Sequence, residues 1–113
     1  AKSRPQNSAE NEAQMYINML KDMAGPYYEF RTRTNAMSAL KRLGYLDAQL
    51  AQYLFDAALN FNSRLAGPAG DLIKYLAQNT DNKSLLISQI ELYNSVDSSK
   101  NFAAQNRLKK LLQ

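Results

Sequence analysis

Tyr27, Tyr28, Phe30, Arg31 and Arg33 crowd aromatic rings and guanidinium groups into one short stretch, the densest chemistry in the chain. Rings stack on splayed bases and guanidinium groups grip phosphates, so single-stranded nucleic-acid binders use this mixture. The preferred reading is structural. Tyrosines of a helical domain sit at the core edge with wet hydroxyls, and arginines pair with carboxylates such as Glu29. Residues 67–70 read GPAG. Two glycines could bring backbone amides to a phosphate, but no lysine follows and Asp71 would repel the anion, so close helix packing or a kink is the expected role. Met15, Met19, Met23 and Met37 could line an adaptable groove, although core filling is the commoner use of methionine. Arg107, Lys109 and Lys110 form a basic last turn that suits a helix C-terminus.

The chain has 113 residues with no histidine and no cysteine. It therefore lacks an imidazole base, a thiolate nucleophile, a disulfide and the two ligand types zinc prefers. Paired glycosidase carboxylates, HExxH, a GxxxxGK phosphate cradle and a GxSxG elbow are absent as well. No catalytic, cofactor-binding or metal-binding residue is assigned. A net charge of +4 permits only weak attraction to acidic surfaces. No apolar run approaches the roughly 18 residues of a membrane span, so a membrane partner is not expected and the chain reads as soluble. Residues 1–7 do not look like a signal peptide.

The elements that must position these groups are helices. Residues 1–7 are polar and read as a flexible tail or linker, and 8–113 read as a single helical domain. Ser8 is the expected cap of a helix over about 9–24, with Glu10 and Glu12 in its first turn and Ala13, Tyr16, Ile17, Leu20, Met23 and Ala24 as its apolar stripe. Gly25 and Pro26 end it. A second helix starts at Tyr27 or Thr32 and stops at Gly44, burying Ala36, Met37, Leu40 and Leu43. Asp47 caps a third with Leu50, Tyr53, Leu54, Ala57, Ala58 and Phe61 inward and Asp56 outward. The short link before it implies an antiparallel pair.

A loop around Asn60 to Ser63 leads to a fourth helix with Leu72, Ile73, Tyr75 and Leu76 inward. Its start is open: Gly67 caps it, or it begins at Ser63 with Pro68 in its early turns. Thr80 or Asp81 opens a fifth, to about Asn94, through Leu86, Ile87, Ile90 and Tyr93. Asp97 or Ser98 caps a last one through Phe102, Ala104, Leu108, Leu111 and Leu112. A shift of 33 positions lays Arg31 on Arg64, Ala36 on Ala69, Leu40 on Ile73 and Leu43 on Leu76. This spacing suits stacked helix pairs. The expected fold is all-α, about six helices in antiparallel pairs, as a short HEAT-like superhelix or an irregular bundle.

Residues 27–78 resemble the C-terminal helical region of bacterial zinc aminopeptidases of the aminopeptidase N family, where HEAT-like helix pairs follow the catalytic domain. The likeness rests on R-x-x-A-x-x-A-L-x-x-L from Arg33, with its Gly44 stop, and on NSRLAGPA from Asn62 to Ala69. The resemblance implies that this chain is a non-catalytic module packing on an upstream catalytic domain of the same polypeptide and helping to enclose the substrate chamber. Zinc, the GxMEN loop and HExxH would belong to that upstream part alone. The resemblance implies one arginine facing the peptide, with Arg31, Arg33 and Arg64 as the candidates; with Tyr27 and Tyr28 they make up the candidate interaction surface, and a structural salt bridge is the competing role for each arginine. The alternative from another class is a free-standing helical module that holds a partner protein or peptide, and weak nucleic-acid binding is the lesser one. Salt dependence would separate the last from the rest.

Overall fold

The computed structural model describes residues 4–94 and 97–113, with side chains from Ala9 onward. Among these residues there are six α-helices: α1 Arg4–Ala24, α2 Phe30–Leu43, α3 Ala48–Ala58, α4 Ser63–Leu76, α5 Thr80–Glu91 and α6 Asn101–Leu111, the last preceded by a 3-10 turn at Ser98–Lys100. Among the described residues there is no strand. The fold is all-α.

The local signals explain most boundaries. The Asp47 carboxylate accepts the Leu50 amide at 2.8 Å and opens α3. Asn62 and Asn79 do the same for α4 and α5 through the amides of Arg64 and Asn82. Gly44 stops α2 at φ 66°, a left-handed conformation that other residues adopt at a cost. Two starts differ from expectation. Among the described residues α1 runs from Arg4, and so does not wait for Ser8 as a cap. Glu10 and Glu12 thus fall beyond the first turn, and residues 1–3 of the expected tail lie outside the described residues. The α2 helix begins at Phe30, neither at Tyr27 nor at Thr32, because Glu29 acts as its cap: its carboxylate accepts the amides of Arg31 and Thr32 and the Thr32 hydroxyl. The α4 helix begins at Ser63 and runs through Pro68, so the GPAG segment is helix interior and its amides form no phosphate cradle. A Cβ added at Gly70 would stand 3.8 Å from the Leu111 side chain, which places this glycine at the packing of α6 on α4.

The pairs that pack most extensively are α1 with α2 and α3 with α4, with α5 and α6 completing a thinner third hairpin. The α2–α3 pairing implied by the short link is not a hairpin of this fold. Four residues can reverse the chain, but they carry it diagonally between layers instead of along the neighbouring helix. One layer holds α1, α3 and α5, the other α2, α4 and α6, because α2 packs on α4 and α3 on α5. The 33-residue offset survives in this arrangement as equivalence within a layer, since α2 and α4 are both 14 residues long and start at Phe30 and Ser63. The result is elongated, 55 × 30 × 23 Å.

The core lies between the layers. Leu40, Leu50, Leu54, Phe55, Ile73, Leu86, Ile90 and Leu108 are fully buried, with Ala36 and Ala69 at equivalent places in α2 and α4. Phe55 meets the edge of Tyr93 with ring centroids 6.2 Å apart. Several residues expected inside are outside. Tyr16, Leu43, Tyr75, Ile87 and Phe102 are exposed, because each helix buries a narrower stripe than its apolar count suggests. Phe61 is 98 % exposed, since α3 has already ended at Ala58 and the helical register that would turn Phe61 inward no longer applies.

Candidate interaction surface

Two antiparallel hairpins joined through residues 44–47 put the N-termini of α2 and α4, and the links 25–29 and 59–62, at one end of the stack. Tyr27, Tyr28, Arg31, Arg33 and Arg64 all belong to this end, but they are not one site. Arg33 is only 4 % exposed. Its Nε donates to the Ala24 carbonyl at 2.9 Å, and one terminal nitrogen donates to the Tyr53 carbonyl at 3.3 Å and the Asp56 carboxylate at 3.4 Å. It therefore ties α1, α2 and α3 together, and it places a positive charge beside the C-terminal carbonyls of α1. Its ion-pair partner is Asp56, expected to face away, and not Glu29, whose carboxylate is engaged in capping. Gly25 makes the approach possible: a Cβ there would come within 3.1 Å of both the Asp22 carbonyl oxygen and the Tyr53 ring.

Arg31 lies 5.7 Å from the Phe30 ring centroid and Arg64 is exposed on the first turn of α4, so these two remain available at the surface. Tyr27 is exposed. Tyr28 donates its hydroxyl to Asp22 at 2.9 Å, and that acceptor raises its pKa.

A second cluster braces the opposite end. Lys21 of α1 reaches the Asp47 carboxylate at 2.7 Å, and the Tyr45 hydroxyl donates to the same oxygen at 2.6 Å. Burial opposes the charge on Asp47. Lys21, the Tyr45 hydroxyl and the Leu50 amide together outweigh that cost and hold its pKa below the usual value. The reciprocal effect, led by the hydrogen bond to Asp47, pushes Tyr45 up to about 12.

The outer flank of α1 carries large apolar side chains in the open. Its buried contacts come from Leu20 and Ala24, with Met23 half covered. Met15 and Met19 are 68 % and 49 % exposed, and Tyr16, next to Met15 in the chain, is exposed as well. With 21 residues against 14 in α2, α1 also overshoots its partner helix by about 10 Å at 1.5 Å per residue. The methionine spacing allows either core filling, the commoner use, or an exposed apolar strip on the first helix where a neighbouring domain would pack, and the packing of α2 shows which side is left bare.

Among the described residues no group of three or more histidines, cysteines, aspartates or glutamates could hold a metal ion. No described helix is long and apolar enough to cross a membrane. Comparison with family models, curated proteins and solved structures returns no match.

Proposed function

We propose that this chain is a non-catalytic helical module of a larger zinc aminopeptidase, docking on the upstream catalytic domain of the same polypeptide and helping to close its substrate chamber. The observation that carries the reading is the bare flank of α1, where Met15, Tyr16 and Met19 offer an apolar strip beside the stripe that packs on α2. Such a strip at the N-terminal helix is what a domain interface would cover. The two-layer stack of hairpins supports the comparison with HEAT-like pairs, although hairpins spaced by 33 residues are shorter than the roughly 40–47 of HEAT repeats. Arg31 and Arg64, exposed at one end, are the residues left to face a peptide, whereas Arg33 is committed to the core.

The coding frame upstream of Ala1 tests this directly. An HExxH with a downstream glutamate in that frame is the expected finding, and a start codon immediately before Ala1 would refute it. In the longer protein, Met15→Glu with Met19→Glu should split one unfolding transition into two while leaving the melting temperature of the isolated chain unchanged. A single undisturbed transition would mean that α1 is not the docking face.

A further inference from the structure

A cleft of about 500 Å³ opens between the end of α3, the link that follows it and α6. Its walls include Phe61, Tyr93 and Ala104, and its charged groups are Lys100, Arg107 and Asp56. Phe61 is almost fully exposed at this site. It is held there by a rigid link, in which the Asn60 side chain accepts the Asn62 amide at 2.8 Å and Asn62 caps α4. Neither Lys100 nor Arg107 takes part in an ion pair among the described residues, while Asp56 is engaged by Arg33. The cleft therefore combines an apolar wall, a projecting ring and two uncommitted cations.

We infer that this cleft binds an acidic peptide segment in which an aromatic or aliphatic side chain lies between carboxylates. The ring of Phe61 and the alanine and tyrosine wall would cover the apolar side chain, and Lys100 and Arg107 would meet the flanking carboxylates. A nucleic acid fits less well. The Asp56 carboxylate faces the same cleft, two cations track only a very short phosphate run, and Phe61 is the single open ring, since Tyr93 is packed edge-on against Phe55. This site lies in α3 and α6, away from the α1 flank, and the inference holds whether or not the chain docks on a peptidase.

The probe is a fluorescein-labelled, end-capped peptide of sequence Gly-Glu-Glu-Phe-Glu-Leu-Gly, read by fluorescence anisotropy with the full chain. Replacing its three glutamates by glutamine, or its Phe and Leu by serine, should each weaken binding about tenfold or more. Phe61→Ser should weaken it about tenfold, and Lys100→Glu with Arg107→Glu should abolish it. Because all three side chains are exposed, neither variant should move the melting temperature by more than about 3 °C, so lost binding would not reflect lost fold. Equal affinity for the glutamate and glutamine peptides, unchanged binding by the variants, or no binding at all would overturn the inference. Tighter binding of a labelled twelve-nucleotide thymidine strand than of the peptide would overturn it in favour of a nucleic-acid site.

Discussion

Replacing Arg33 separates the work of its charge from the work of its stem. In Arg33→Met the buried aliphatic length is kept, but the Ala24 carbonyl loses its donor at a residue with no exposed surface. An unsatisfied buried acceptor of this kind costs about 1–3 kcal/mol. The other two contacts add little, because they are long and the Asp56 side chain is half in water. Arg33→Ala removes the stem as well, at about 0.8 kcal/mol for each buried methylene. Its total should reach about 3–5 kcal/mol, a large fraction of the stability of a domain this size. Asp56→Asn should cost less than about 1 kcal/mol. Urea titrations followed by circular dichroism at constant m-value give all three numbers. If Arg33→Met falls within about 0.5 kcal/mol of the parent protein, the carbonyl finds water and the account of Arg33 as a tie between helices is wrong.

Further perturbations follow from the glycines and from the Lys21–Asp47–Tyr45 cluster. Gly25→Ala should destabilise by about 1–3 kcal/mol, because the added methyl meets a backbone oxygen that cannot turn aside, and Gly44→Ala by about 1–2 kcal/mol through its left-handed backbone; thermal melts of either variant that match the parent would contradict the packing described. Acid should weaken the protein through Asp47. Its pKa is lowered on folding, so its contribution is complete above the ordinary carboxylate value of 3.8 and is lost as pH falls through the depressed one. Tyr45, raised to about 12, gives a contribution complete below 10 and lost as pH climbs through 12. Lys21→Met should flatten the acid limb, and an unchanged limb would show that the Lys21 pair contributes nothing.

What could be read from the sequence was governed by local chemistry. Asp47 as a cap, Gly44 as a stop and the end of α1 at Gly25 and Pro26 each depend on a few adjacent residues, and each appears where those residues dictate. The 33-residue offset was legible because equivalent helices bury equivalent small and branched residues. Glu29 is not legible as a cap because its longer side chain seldom takes that role, and its charge beside Arg31 and Arg33 suggests an ion pair instead. The hairpin partners were hidden for a different reason: the direction a four-residue link sends the next helix depends on side chains from three helices, Arg33 among them. Phe61 shows how a period misleads. Counting in helical steps from Tyr53 and Leu54 carries it inward, but α3 has ended at Ala58 with Leu59 as its C-cap, and the link held by the Asn60–Asn62 hydrogen bond leaves it exposed. Of the arginines singled out, the sequence could not distinguish the buried Arg33 from the exposed Arg31 two positions away.

The thin packing of α5 and α6 bears on the cleft beside them. A stack in which each hairpin touches mainly its neighbours opens from its weakest end, and here that end is the third hairpin. Any molecule that bridges Phe61 on the second hairpin to Arg107 on the third acts as a clasp on that joint. Occupancy of the cleft and closure of the C-terminal hairpin are then two readings of one equilibrium, and amide exchange in α6 should slow in proportion to the bound fraction.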